Sequence, residues 1–143
     1  MRKMKFTKYI ALLLILATLL SMGVMAAESR ASSYLSSYYA DVALKNGELS
    51  IYYEVLGVKF LDRLGAKRIY IQRKVGTRWT TEDTINYTDD TSLQGENVAY
   101  HSGKVYYTPQ YSGTSYRAVV SFYVKDSSGS DSAEYTTNAV SVP

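Results

Sequence analysis

The chain has 143 residues, no cysteine, 15 tyrosines and a formal net charge of +3 from 16 Lys and Arg against 13 Asp and Glu. Without cysteine there can be no disulfide staples, no thiolate metal site and no lipid attached at an N-terminal cysteine. The basic excess is local: Arg2, Lys3, Lys5 and Lys8 stand at the start, and no acidic residue precedes Glu28, so the chain beyond the first 26 residues holds 12 basic against 13 acidic residues, a net −1. The basicity therefore gives no warrant for nucleic acid or an anionic membrane as a partner.

Those four cations form a positive n-region, followed by the aliphatic run Ile10–Leu20 and by small residues at Val24-Met25-Ala26. This is the order of a secretory signal peptide, whose core is helical, and it predicts residues 1–26 as a leader cleaved between Ala26 and Ala27, with Ala27/Glu28 the runner-up. The alternative is an uncleaved anchor, but Ser21 and Gly23 interrupt the apolar run before it reaches the ~20 residues a span needs. Residues 27–33 are polar and read as a flexible leader, and residues 34–143 as one domain with one core. A secreted domain without disulfides is held by packing alone, which favours a β-sandwich over a loop-rich scaffold.

Tyr38, Ala40, Val42 and Leu44 alternate with Tyr39, Asp41, Ala43 and Lys45, the period of a strand with one buried face. Asn46-Gly47 tolerates the positive φ of a tight hairpin turn, and Leu49, Ile51, Tyr53 and Val55 return with an inward phase. In Leu56–Ala66 the alternation stops. Phe60, Leu61 and Leu64 sit at helical spacing before Gly65, which predicts a single helical turn plugging one end of the domain. Strand periodicity resumes at Lys67–Val75, with Ile69 and Ile71 inward, and Gly76-Thr77 turns the chain into Arg78–Tyr87, which carries Trp79, expected to be packed.

Thr88–Glu96 reads as a polar loop, Val98–Tyr100 as a short edge piece, and Lys104–Thr108 as a strand ended by Pro109. The clearest alternation comes last. Tyr116, Ala118, Val120, Phe122 and Val124 point one way, and Arg117, Ser121, Tyr123 and Lys125 the other. Asp126–Asp131 is rich in residues that bond their own backbone, so the chain reverses there into Ala133–Val142. About seven short strands with frequent turns give an all-β, antiparallel sandwich.

Gly113-Thr114-x-Tyr116, with alternating Ala118, Val120 and Phe122 and a Gly/Ser turn after them, resembles the E–F loop, F strand and F–G turn of fibronectin type III-like, immunoglobulin-like domains. The resemblance implies that Tyr116 is the corner tyrosine, bonding back to the preceding loop. It also implies that the strand of Tyr70 pairs with the strand of Tyr123, while Tyr52 belongs to the opposite sheet. Tyr53 stands where the family has a buried Trp, and Ser112 where it has Pro. From SYLSSYYA through LDRLGAKRIYI and AYHSGKVYY to YRAVVSFYVKDSSGSDS, the chain looks like small stand-alone secreted proteins of Gram-positive bacteria. That likeness implies fold and export, and carries over no catalytic residue.

Three constellations bear on function. His101 is the only histidine and adjoins Ser102, but a Ser–His hydrolase also needs a buried acid and an oxyanion hole, and no nucleophile elbow is present. Asp89, Asp90 and Glu96 lie in one loop and Asp126 and Asp131 in another. Adjacent loops could together offer oxygens to calcium, but the spacing matches no EF-hand and acidic turns serve solubility. The expectation is no metal or cofactor, with calcium the alternative. Tyrosine is the compositional outlier. Tyr38, Tyr53, Tyr107 and Tyr116 fall in the inward phase, and Tyr39, Tyr52, Tyr70, Tyr106 and Tyr123 in the outward one. An outward row can stack on sugars or anchor a protein, because tyrosine offers wide contact at low entropy cost. The candidate binding residues are Tyr70 and Tyr123, with Tyr52 conditional on topology. The expectation is a secreted, extracellular, monomeric, non-enzymatic binder of a protein or a cell-wall glycan. The alternatives are a carbohydrate-binding module using outward Tyr and Trp79, and a hydrolase or toxin using His101.

Overall fold

One strand runs through the whole domain. The computed structural model describes residues 32–143, as β1 (Leu35–Lys45), β2 (Glu48–Val75), β3 (Arg78–Asn86), β4 (Gln94–Tyr107), β5 (Thr114–Asp126), β6 (Gly129–Thr136) and β7 (Val140–Val142), with a 3-10 turn at Thr91–Leu93. The leader 1–26, its cleavage point at Ala26/Ala27 and most of the polar stretch 27–33 lie outside the described residues. At 28 residues β2 is several times the usual strand length. Its first half pairs with β1 on one edge (Ala40↔Tyr53) and β4 on the other (Ile51↔Val105). Its second half pairs with β3 (Tyr70↔Thr84) and β5 (Ile69↔Val120). β5 in turn pairs with β6 and β7, so all seven strands form one antiparallel sheet curled about β2. Such a curl gives a sandwich-like body with two leaves and one core between them.

The β1–β2 turn forms as the sequence dictates: Asn46 and Gly47 take φ of 52° and 77°, and Lys45 pairs with Glu48. The segment Leu56–Ala66 is not the helical turn its spacing suggests. It is strand throughout, and it is where β2 passes from one leaf to the other. Leu61 and Leu64 are buried and Phe60 is 71% exposed, the reverse of a helical plug led by Phe60. The inward phase changes between Leu61 and Leu64, and the β5 register slips between Ala66 and Arg68. Each slip places two buried residues three apart, which imitates one turn of helix while bending a strand. Gly65 sits at this crossing, where a Cβ would meet the Leu93 carbonyl and lie 2.6 Å from Gln94 Cα. Gln94 is buried alongside, and its Nε2 donates to the Ala66 carbonyl at 3.1 Å.

Two other expectations change. Val98–Tyr100 and Lys104–Thr108 are parts of one strand, β4, held along its length by β2. The loop before it shortens to a turn and the 3-10 segment, whose Asp90 accepts from the Ser92 amide at 3.0 Å. The returning strand divides at Thr137, whose Oγ1 accepts from the Ala118 amide at 3.0 Å.

Leu49, Ile51, Ile69, Ile71, Val105, Tyr116, Ala118, Val120 and Phe122, the inward positions of the alternation, are all at most 8% exposed. Phe122 lies at the centre, its ring 5.5 Å from that of Tyr38 and 6.4 Å from that of Tyr53. Tyr116 Oη accepts from the Tyr111 amide at 3.2 Å and fixes the loop before β5. Phe122→Ala should cost about 3–5 kcal/mol, most of the margin of a domain this size. Urea unfolding checks it, with Lys125→Ala expected to change stability by less than about 0.5 kcal/mol; equal effects would mean that the strand phase is wrong.

Candidate functional site

Because Ile69, Ile71, Ala118, Val120 and Phe122 face the core, the residues between them face out. The outer surface of the leaf built from β3, the second half of β2, β5 and β6 is thereby fixed by register. Tyr70 lies opposite Val119, Gln72 opposite Arg117, Arg68 opposite Ser121, and Tyr123 opposite Gly65. Tyr70 and Tyr123 share this surface but do not touch: the offset from Val119 to Tyr123 along β5 corresponds to roughly 13 Å. Tyr52 is on the other leaf, paired with Asp41 of β1 and Lys104 of β4.

Two aromatic rings of the outer surface, Trp79 and Tyr123, are held against cations, and so is Tyr87, which is partly buried against the core. The Arg117 guanidinium lies 4.3 Å from the centre of the Trp79 ring, and its Nε donates to Gln72 Oε1 at 2.8 Å. Trp79 is thus packed against Arg117 at the surface and half-exposed, rather than taken into the core. Lys67 Nζ lies 5.8 Å from the Tyr123 ring centre, and the Arg63 guanidinium 5.0 Å from that of Tyr87. Each contact draws a cation to the negative face of the ring. The alternation made Tyr70, Tyr123 and Arg117 visible as outward residues. It could not show Lys67 or Arg63 beside the tyrosines, because those approaches depend on the slip at Ala66/Arg68 and on the crossing of β2.

On the opposite leaf Tyr52 Oη donates to Glu54 Oε2 at 2.6 Å, and Tyr100 Oη donates to the same oxygen at 3.1 Å. The hydrogen bond to Glu54 holds the Tyr52 phenol protonated and raises its pKa. Tyr106 is 59% exposed at the rim of an open depression of about 250 Å³ lined by Lys45, Glu48, Ser50 and Lys104. Tyr52 is therefore engaged locally, whereas Tyr106 is open.

His101 and Ser102 are successive residues of β4 and point to opposite faces. The ring of His101 turns inward, with Nε2 3.1 Å from the Ser92 carbonyl and 3.4 Å from Tyr53 Oη. A carbonyl can only accept, so Nε2 carries the proton. Of the acidic residues, Glu96 meets Arg63 at 3.5 Å, Asp126 meets Lys59 at 2.5 Å, and Asp90 caps the 3-10 turn. Among the described residues, no three His, Asp or Glu side chains converge as a metal site would require.

No family model matches the chain, and no curated protein or solved structure shows significant similarity to it. What the surfaces can do rests on their own chemistry.

Burial lowers the pKa of His101 below its ordinary value. The unfolded chain then binds that proton more tightly, so this contribution to stability is complete above about pH 6.5. It is lost as pH falls from there through the lowered folded-state value. Thermal melts from about pH 7 down to about pH 5 should show the parent losing more stability than His101→Gln. Parallel curves would mean that the ring is solvated and titrates normally.

Proposed function

We propose that this chain is an exported, extracellular, non-enzymatic immunoglobulin-like sandwich of the fibronectin type III kind. It acts as a monomer, by surface recognition through the outer face of β3, β2, β5 and β6. The pairing order supports the fold assignment. In immunoglobulin-like sandwiches the first, second and fifth strands share one sheet, and the third, sixth and seventh share the other. Here β1, the first half of β2 and β4 make the first set, and the second half of β2, β5 and β6 the second, with β3 added at the edge. Tyr116, bonded to the Tyr111 amide, occupies the corner position. The fused second and third strands are this chain's departure from the pattern.

One observation carries the functional reading: Trp79, Tyr70 and Tyr123 stand partly exposed on a single sheet surface, with Arg117 and Lys67 against two of the rings. Surface aromatics cost solubility unless something covers them in use. We take a glycan as that partner, because the rings lie along the open face of a sheet, where the C–H groups of an extended sugar chain can pack on them. His101 supports the non-enzymatic reading, because its Nε2 is engaged by a backbone carbonyl.

The double variant Tyr70→Ser/Tyr123→Ser should melt within a few degrees of the parent. Binding to a glycan array and to insoluble cell-wall material should be lost. Binding equal to the parent's would remove the aromatic face from the function.

A further inference from the structure

We infer that the ligand of this face is an acidic polysaccharide, one bearing carboxylates on its sugars, and that Lys67, Arg68 and Lys125 read its charge. The inference rests on the outer face of β3, β2, β5 and β6 being the binding surface, and adds the ligand's chemical class. Residues 32–143 hold 11 Lys and Arg against 12 Asp and Glu, so the domain as a whole is close to neutral. Its cations are nevertheless gathered. Around Tyr123 stand Lys67, with its ammonium over the ring, Arg68, two positions along β5 Lys125, and Arg63 directly across from Lys125.

Like charges facing each other across a strand pair destabilise a sheet. Arg63 opposite Lys125 is such a pair, and the Glu96 carboxylate at 3.5 Å reaches only Arg63. Among the described residues, Lys67, Arg68 and Lys125 form no ion pair; the three present are Lys59–Asp126, Arg63–Glu96 and Arg73–Glu82. Glu134 of β6, opposite Ser121, is the carboxylate in phase with them on this face. A near-neutral domain that keeps unpaired cations side by side is arranged for an anion supplied from outside.

The rings select the kind of anion. A nucleic acid would need open aromatic faces on which bases stack, but Trp79 lies under Arg117 and Tyr123 under Lys67. Nucleic-acid domains are also basic overall, which this one is not. A sugar acid asks for less. Its carboxylate meets the ammonium and guanidinium groups, and its ring C–H groups pack on the tyrosine edges and the apolar stems of the lysines. Arg117 spends Nε on Gln72 and keeps the rest of its planar fork for a carboxylate. The surface is a sheet face, so the occupant is an extended chain laid across the strands.

The test is binding of the domain to polygalacturonate, with dextran, a single-stranded oligothymidylate and phosphatidylglycerol vesicles alongside. Polygalacturonate should bind, more weakly by about tenfold when salt rises from about 50 to about 200 mM; dextran, oligothymidylate and vesicles should not. Lys67→Gln/Arg68→Gln/Lys125→Gln should lose at least about tenfold and melt within a few degrees of the parent, the relieved Arg63–Lys125 repulsion offsetting the lost contact of Lys67 with Tyr123. Lys67→Arg/Lys125→Arg should bind as the parent does, and so should Lys45→Gln/Lys104→Gln on the other leaf. Equal binding of dextran would overturn the acidic ligand while leaving the aromatic face in place. Loss on the cation changes but not on Tyr70→Ser/Tyr123→Ser would uphold the acidic ligand and sink the aromatic reading. Retained binding by the triple-Gln variant, no binding of polygalacturonate by the parent, or preference for oligothymidylate or vesicles would overturn the inference.

Discussion

The fold depends on the passage of β2 from one leaf to the other between Leu61 and Ala66. Over these residues the strand is paired on both edges at once, with β4 through Leu61↔Val98 and Gly65↔Gln94, and with β5 through Arg63↔Lys125 and Ala66↔Phe122. A strand cannot leave one sheet and enter another without surrendering backbone hydrogen bonds, unless both neighbours are already in place at the crossing. Here they are, and the buried side chains Leu61, Leu64 and Ala66 fill the space beneath. The chain thus changes leaves through a bend within one strand and not through a turn between two.

The bend has an electrostatic consequence. It brings Arg63, at the crossing, into register with Lys125, and its slip at Ala66/Arg68 pushes Lys67 toward Tyr123. The same irregularity that joins the two leaves therefore gathers cations on the outside of one of them. The other leaf differs in kind: its tyrosines Tyr52 and Tyr100 are tied to Glu54, and Lys45 and Lys104 stand near Glu48 around an open depression. Two aromatic surfaces, one cationic and one mixed, thus sit on a domain whose total charge is near zero.

Much of the strand phase was legible in the sequence. Asn46-Gly47 and the alternation from Tyr116 to Val124 reported the hairpin turn and the core of β5 without ambiguity, because one face of each strand is buried and the other is not. Leu56–Ala66 was misleading for a physical reason. A slip in a strand places buried residues three apart, and over one turn that spacing cannot be told from a helix. Trp79 was expected to be packed, and it is; its partner Arg117 was not legible, because it arrives from another strand. Parity marked the two tyrosines of the candidate face as outward, and the pairing that the fibronectin-like resemblance implied put them on one sheet, as the register of β2 and β5 does. Their cationic neighbours were not legible, because cross-strand register is set by turns and slips that the local pattern does not carry.

Native-state hydrogen exchange at the amides of Leu64, Ala66 and Ile69 probes the crossing most directly. If β2 is continuous and paired on both edges, these amides exchange only through opening close to global unfolding, as slowly as those of Val120 and Phe122 in β5. Exchange at the rate of an exposed loop, with protection resuming only at Ile69, would show that two separate strands joined by a turn stand in place of β2. The gathering of Arg63, Lys67 and Lys125 around Tyr123 would then lose its structural cause.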